Sequence, residues 1–211
     1  AKKRDHRKIG KEMDLFMICD EGPGFPFFMP KGMIIRNELE TFWKEQHYVR
    51  GYDEIKTPLI LNEQLWRTSG HWDHYKDNMY FTEIDEEAYA VKPMNCPGSI
   101  LAYKRKLWSY KELPVRYAEL GQVHRHELSG TLHGLMRVRT FVQDDAHIFM
   151  LPEQTRDEVT KVIQLYDDLY KMFNLPYHIE LSTRPENSMG TKEEWDTAEA
   201  ALKDAIESIG A

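Results

Sequence analysis

The sequence predicts an α+β fold in which an antiparallel β-sheet is flanked by helices. Strand-like segments come in groups joined by turns, at residues 79–92 and again at 115–127 and 140–150. Helical periodicity stands before and after them, from Ile35 to Trp43 and in a long amphipathic run that follows Pro152. Grouped strands with short connections favour an antiparallel sheet over a doubly wound parallel one.

The composition of the 211 residues is that of an ordinary soluble globular protein. Neither a membrane-spanning run nor a secretory signal is visible, so we expect a cytoplasmic protein without a membrane partner. The formal net charge of −7 argues against a surface that grips nucleic acid everywhere, so any RNA contact must be local. Cys19 and Cys96 are far apart and form no CxxC pair, which argues against a disulfide framework. Cys19 is expected to be a small buried or half-buried side chain.

Charged residues and glycines indicate the first elements of the chain. The charged residues 2–8 are interpreted as a solvated helix start or a linker. A helix that buries one face should run from Gly32 to near Arg50, because Gly51 suits the left-handed position just past a helix end.

Further elements follow from proline and capping residues. Residues 52–60 read as a strand, which Pro58 places at an edge or interface. Asn62 can cap a second helix that ends near Ser69, and residues 79–92 form a hairpin with Asp85 at its tip.

The second half of the chain alternates helices and strands. Cys96 should begin a helix that runs to about Leu107, because a proline follows it in the first turn. Residues 177–181 alternate as a strand. Thr191 and Glu194 have the spacing of a capping box for a last helix.

One strand in the second half carries polar side chains where a core would be apolar. Period-two alternation puts five residues on one face, namely Phe141, Gln143, Asp145, His147 and Phe149. This face is interpreted as the floor of a site or, equally, as a polar face turned to solvent. The opposite face, with only Asp144 charged, is expected to be buried.

Arginines surround the connection between the two long strands. Arg125 and Glu127 share a face of the first strand, and Arg137 and Arg139 follow a glycine-containing loop. This arrangement suggests an anion site, since guanidinium groups bind phosphates and carboxylates. The alternative is a surface salt bridge between Arg125 and Glu127.

Longer stretches of the chain resemble class II aminoacyl-tRNA synthetases and, within that class, the threonyl-tRNA synthetase family. RHE at 125–127, RVRTF at 137–141 and DDAHIF at 144–149 are similar to motif 2 of the class. Four stretches resemble the threonyl family more narrowly: TSGHWD at 68–73, KPMNCPG at 92–98, LHGLMRVR at 132–139 and LSTRPE at 181–186. The helix from Gly32 and the strand with Pro58 resemble motif 1, the dimer interface of the class.

The resemblance implies roles for individual residues around ATP. Arg125 would hold the α-phosphate, Glu127 would read the adenine amino group, Phe141 would stack on the adenine, and Arg137 would assist with the phosphates. Mg²⁺ would accompany ATP. The second catalytic candidate is His71, which resembles the family histidine near the terminal ribose of tRNA, although a loop histidine beside a tryptophan can also simply pack.

The resemblance also implies a catalytic zinc ion that selects the amino acid. Cys96 and His147 match the family's ligand positions, while Met94, Gln143 and Asp145 match its substrate-binding positions. Without the resemblance, a lone histidine is usually a structural imidazole and a lone cysteine a buried apolar side chain.

The function implied is threonine–tRNA ligation. Threonine would be activated with ATP as an aminoacyl-adenylate and transferred to tRNA(Thr) by a homodimeric enzyme. Residues 1–211 would be the N-terminal and central part of the catalytic domain, without the editing and anticodon-binding domains. The third zinc ligand and motif 3 are expected beyond Ala211, so this fragment alone is expected to be inactive.

Two other kinds of protein share parts of this pattern. One is a synthetase-like binding or regulatory module, which the joint presence of Arg125, Cys96, Asp145 and His147 disfavours. The other is a related prolyl or seryl synthetase, which the zinc pair disfavours. Ser99 and Leu128 stand where many relatives have histidine and proline, and we expect them to affect loops only.

Overall fold

The structure is a computed structural model that describes residues 4–186 and 188–208. The chain forms two compact units, one from Ala1–Leu107 and Arg116–His147, the other from Trp108–Val115 and Ile148–Ala211. No helix within the described residues is both long and apolar enough to cross a membrane.

The described residues form helices, short strands and two strands of ten residues each. The helices are α1 (His6–Glu12), α2 (Pro30–Val49), α3 (Glu63–Thr68), α4 (His71–His74), α5 (Cys96–Tyr103), α6 (Thr155–Met172) and α7 (Lys192–Ser208). The strands are β1 (Phe16–Met17), β2 (Phe27–Phe28), β3 (Asp53–Glu54), β4 (Ile60–Asn62), β5 (Tyr80–Ile84), β6 (Glu87–Val91), β7 (Val115–His124) and β8 (Thr140–Phe149). In the second unit, α6 and α7 pack against each other.

The strands form three small sheets. The sheet that carries the long strands has the order β3-β7-β8, and a second sheet has the order β4-β6-β5 with antiparallel pairs throughout. At the loop end of β7 and β8, the backbone N–H of Arg125 donates to the carbonyl of Arg139 at 3.0 Å, so these two strands run antiparallel. β3 pairs with β7 in parallel. The predicted α+β class is confirmed, with this parallel pair as the exception to an antiparallel sheet.

Local signals in the sequence placed several element ends correctly. Gly51, just past α2, has a φ of +75°, the left-handed conformation that glycine adopts without strain. The Asn62 side chain accepts a hydrogen bond from the N–H of Leu65 at the start of α3. Thr191 and Glu194 form the expected capping box before α7, with bonds of 2.8 and 3.2 Å.

Other predicted boundaries were wrong. β7 ends at His124, so Arg125 and Glu127 lie in the loop that follows the strand and not within it. α5 ends at Tyr103. Residues 177–181 form no strand, because Tyr177 instead stacks on Tyr170 of α6 with ring centroids 4.9 Å apart.

The second face of β8 is not buried as predicted. Asp144 and Ala146 are exposed, and Val142 lines an apolar cavity of about 700 Å³ that also borders α2. The predicted buried face of α2 is open in the same way, with Ile35 and Leu39 exposed along the cavity. Residues of α1, β1 and β2 also line this cavity, namely Ile9, Phe16 and Phe28, and together with α2 they leave it open.

The apolar core of the first unit lies between α3 and the hairpin of β5 and β6. Trp66, Met79 and Ala90 are fully buried there, and Trp72 and Tyr75 pack against them. The Trp66 indole donates to the carbonyl of Leu61 at 3.1 Å, which satisfies its buried N–H.

Candidate functional site

The polar face of β8 forms the floor of a site together with the segment before α5. The guanidinium carbon of Arg125 lies 5.1 Å from the centroid of the Phe141 ring, and Arg125 Nε donates to the carbonyl of Pro93 at 3.2 Å. The neighbouring Asn95 donates to Asp145. Arg125 and Asp145 therefore lie on the same side of the sheet, as the sequence predicted.

A group of possible metal ligands lies on this floor. The ligand atoms of Cys96, Asp145 and His147 are all within 4.8 Å of one another, and each residue is half-buried. Burial, and then the negative charge of Asp145, raise the pKa of the Cys96 thiol. A thiol that is protonated at neutral pH in the free site loses its proton when it ligates a cation.

Asn95 forms hydrogen bonds to two residues of the floor, although the sequence predicted no role for it. It is 1% exposed, and its Nδ2 donates to Asp145 Oδ2 at 3.1 Å and to Gln143 Oε1 at 3.4 Å. Its Oδ1 is buried and has no donor among the described residues. The structure therefore joins Gln143 to the group of Asp145, Cys96 and His147 through one amide.

His71 stands beside Met94, next to this floor. Its Nε2 lies 3.1 Å from the Met94 sulfur, and its Nδ1 lies 2.9 Å from Ser69 Oγ. The ring packs edge-on against buried Trp66, with centroids 5.8 Å apart. Burial lowers the pKa of His71, so the imidazole is neutral at pH 7.

The loop between β7 and β8 is held by its own arginines. Glu127 pairs with Arg137 at 3.4 Å, where the sequence had suggested Arg125 as its partner. Arg139 donates to the carbonyls of Glu127 and Pro23 at 3.0 and 3.1 Å, and to Ser129 Oγ at 3.2 Å. Arg139 therefore stabilises the loop through these three hydrogen bonds. The Arg137 side chain is exposed and is therefore accessible to a ligand.

A buried ion pair fixes the start of the segment that carries Asn95 and Cys96. Lys92 is 1% exposed and Glu119 is 4% exposed, and Lys92 Nζ lies 3.1 Å from the Glu119 carboxylate. Thr57 completes the network, since it accepts from Lys92 at 2.7 Å and donates its N–H to Glu119 at 2.9 Å. Burial of both charges is tolerated because each has several partners.

Replacing Lys92 with methionine should destabilise the fold strongly. The change leaves the Glu119 carboxylate buried without its cation, which costs about 3–5 kcal/mol. We expect this loss in the free energy of unfolding, measured by urea denaturation and tryptophan fluorescence.

A matched control exists in the exposed pair of Lys44 and Glu54, which are 2.8 Å apart. Lys44→Met should cost no more than about 1 kcal/mol, because water screens an exposed pair. The double variant Lys92→Met/Glu119→Leu should recover part of the loss. Equal effects of Lys92→Met and Lys44→Met would contradict the role assigned to the buried pair.

The structure thus brings together most of the residues selected from the sequence. Arg125, Phe141, Gln143, Asp145, Cys96 and His147 lie on one floor, with Met94 and His71 beside it. Glu127 and Arg137 contact each other on the loop. Asn95 and Lys92 both stand inside KPMNCPG, but nothing in that stretch indicates the burial of Lys92, because only tertiary packing removes a lysine from water.

Comparison with known families decides what kind of domain carries this floor. Residues 80–209 match the model of the tRNA synthetase class II core domain (G, H, P, S and T). The chain belongs to this family. The matched residues include every position on the floor, while His71, which lies beside the floor, falls outside the match.

Relatives of this class II core domain include threonine–tRNA ligases of Carboxydothermus hydrogenoformans and Acetivibrio thermocellus. Each is 69% identical over 210 residues, which is 100% of this chain and 33% of the relative. The chain therefore spans about one third of the length of the curated relatives that it matches.

Solved structures show the same fold. The RNA binding domain of threonyl-tRNA synthetase from Cryptosporidium parvum Iowa II matches with a TM-score of 0.94 and 42% identity, over 99% of this chain and 52% of that chain. A putative threonyl-tRNA synthetase from Aeropyrum pernix matches with a TM-score of 0.86 and 34% identity, over 98% and 50%. A Giardia lamblia prolyl-tRNA synthetase at 20% identity, with a TM-score of 0.72 over 79% and 35%, shares the fold alone.

Proposed function

We propose that this chain is catalytic-core sequence of a threonine–tRNA ligase, which activates threonine with ATP and transfers it to tRNA(Thr). One observation carries the proposal. The Arg125 guanidinium lies on the same floor as the group formed by the Cys96 thiol, the Asp145 carboxylate and the His147 imidazole. The 69% identity to threonine–tRNA ligases over the whole chain supports the choice of amino acid.

Arg125 and Phe141 are proposed to bind ATP, with Glu127 and Arg137 at the entrance. The Arg125 guanidinium lies over the Phe141 ring and donates a hydrogen bond to the Pro93 carbonyl. It is therefore already oriented before a ligand binds. Arg137 is half-exposed and its 3.4 Å pair with Glu127 is weak, so both can turn to a nucleotide. Mg²⁺ would accompany the phosphates of ATP.

Activation joins the threonine carboxylate to the α-phosphorus of ATP. A carboxylate oxygen forms the new bond to phosphorus while the bond to the bridging oxygen of pyrophosphate breaks, and pyrophosphate leaves with its electron pair. Negative charge builds on the phosphoryl oxygens, and the Arg125 guanidinium stabilises it without transferring a proton. Arg125 is therefore assigned an electrostatic role.

The residues at the amino-acid end fit a zinc ion. Cys96 and His147 offer the sulfur and nitrogen ligands that zinc prefers, and Asp145 lies in the same group within 4.8 Å. When bound, zinc would supply an open coordination position that recognises the amino and hydroxyl groups of threonine. We assign Cys96 and His147 to hold it.

Recognition of the hydroxyl explains how threonine is separated from valine, which has almost the same shape. An apolar pocket separates such analogues by roughly 1–3 kcal/mol, whereas a site built to bond a hydroxyl rejects the analogue lacking it by roughly 10⁴-fold or more. Asp145 and Gln143 can accept and orient the hydroxyl and amino hydrogens, beside Met94. Serine carries the same hydroxyl and is not excluded here.

The tRNA and dimer contacts are part of the same proposal. Neutral His71, beside Met94, is placed next to the floor where the terminal ribose of tRNA would arrive. The exposed apolar side chains Ile34, Ile35 and Leu39 of α2 are available for the partner subunit of a homodimer. A cytoplasmic location remains a prediction from the sequence.

The function is tested by amino-acid-dependent exchange of pyrophosphate into ATP. Full-length protein that carries this chain should show exchange with threonine, weaker exchange with serine, and background exchange with valine and proline. The 211-residue chain alone should show only background exchange, because it spans about one third of the length of its relatives. Activation needs nucleotide, amino acid and metal held together in reactive geometry, and we expect this part of the protein not to hold all three. Exchange with proline but not threonine in the full-length protein would contradict the proposal and favour a prolyl enzyme.

A further inference from the structure

The amide of Asn95 is fixed in one orientation at the centre of the floor. Its Nδ2 faces two oxygen acceptors, Asp145 Oδ2 at 3.1 Å and Gln143 Oε1 at 3.4 Å. The reversed amide would aim its own carbonyl oxygen at both acceptors, which is repulsive. Asn95 is therefore a donor to both residues that face the amino acid.

Gly121 of β7 leaves the space that this amide occupies. An ideal Cβ at Gly121 would lie 2.3 Å from both Nδ2 and Oδ1 of Asn95, closer than any packed contact. The side chain of Asn95 thus lies directly against the β7 backbone and reaches from there to β8. A glycine inside a strand often marks such a close approach.

The residues around Asn95 in the sequence hold its backbone in place. Lys92 is anchored by the buried Glu119 carboxylate, the Met94 sulfur contacts His71, and Cys96 begins α5. The Asn95 carbonyl accepts the N–H of Ser99 at 3.0 Å. Because backbone and side chain are both fixed, Asn95 can impose its orientation on Asp145 and Gln143.

We propose that Asn95 is a positioning residue for amino-acid selection, which holds the Asp145 carboxylate and the Gln143 amide in the orientation that recognises the hydroxyl and amino groups of the substrate. This inference rests on the proposed function. A carboxylate with one oxygen held by Asn95 presents the other in a fixed direction, whereas an unheld carboxylate rotates and is satisfied by water. Gly121 takes part by keeping space for the amide.

The test uses full-length protein with three variants that disturb the amide in different ways. Asn95→Ala removes the donor, Asn95→Asp replaces it by a carboxylate of the same shape, and Gly121→Ala displaces it without changing a polar group. The matched control is Asn174→Asp, which makes the same change at an exposed position with a φ of 51°, a conformation that aspartate also tolerates.

Six quantities are measured. They are the KM values for threonine and for ATP, the exchange rates with threonine and with valine, bound zinc, and the rise in Tm on adding threonine alone. We expect the three variants to lose roughly 10- to 100-fold in kcat/KM for threonine, as for other partners that orient a metal-site residue. The ratio of threonine to valine exchange should fall and the threonine-induced rise in Tm should shrink. The KM for ATP and the bound zinc should stay as in the control.

The possible outcomes separate the two proposals. If unmodified protein activates threonine but the variants keep its KM and its threonine-to-valine ratio, the role of Asn95 is wrong and the proposed function stands. If unmodified protein does not activate threonine, the proposed function fails first. Equal losses for threonine, ATP and zinc, or unfolding of all three variants by circular dichroism, would assign Asn95 a structural role and overturn the inference.

Discussion

Replacing Cys96 with alanine in full-length protein is expected to remove bound zinc and, with it, activation of threonine. Cys96 offers the only thiol in the group formed with Asp145 and His147, and zinc binds thiolate sulfur strongly. Loss of a residue that merely orients a ligand costs roughly 10- to 100-fold in metal affinity, so loss of a ligand should cost more. Zinc is measured by mass spectrometry of dialysed protein, and activation by threonine-dependent pyrophosphate exchange.

Cys19→Ala is the matched control, because it removes the other of the two cysteines in the chain. It should keep zinc and activity. ATP binding by Cys96→Ala, measured by equilibrium dialysis, should remain near that of the unmodified protein. Full threonine activation by a zinc-free Cys96→Ala protein would show that the group of Cys96, Asp145 and His147 does not select the amino acid.

Replacing Arg125 with alanine should damage the ATP-dependent step while zinc stays bound. The guanidinium is held over Phe141 and by the Pro93 carbonyl, so it is oriented before the reaction begins. Removing one such oriented donor from developing negative charge typically costs roughly 100- to 1000-fold in rate. The same exchange assay, with bound zinc measured beside it, separates this loss from that of Cys96→Ala.

Arg125→Lys should recover only part of the activity, because an ammonium keeps the charge but loses the planar fork. Arg156→Ala, at an exposed position of α6, is the control for loss of an arginine and should behave as the unmodified protein. An Arg125→Ala protein that kept its exchange rate but lost zinc would contradict the assignment of Arg125 to the phosphates.

The sequence predicted those elements whose ends depend on residues close together in the chain. Gly51 past α2, the Asn62 cap of α3 and the capping box before α7 each act within one helical turn, so their effect is local. The alternation along β8 also predicted which side chains share a face. That prediction is local too, because successive side chains of a strand point to opposite faces.

Two of the failed predictions depended on what lies opposite an element. The second face of β8 is apolar, yet it borders a cavity, because α1, α2, β1 and β2 line the space opposite it without filling it. Residues 177–181 alternate like a strand, but Tyr177 is held by α6 through the Tyr170 ring and the Asp167 carboxylate. A period-two pattern without a partner strand does not make a sheet.

By itself the sequence determined the α+β class, several helix ends and the set of side chains from which a site could be built. Tertiary structure decided that Asn95 reaches both Gln143 and Asp145, that Lys92 is buried beside Glu119, and that Glu127 pairs with Arg137. The contacts of Asn95 and Lys92 join residues far apart in the chain, and the pair of Glu127 and Arg137 forms across a loop, so no local pattern encodes them. They depend on close packing between strands and loops, such as the space that Gly121 leaves for one amide.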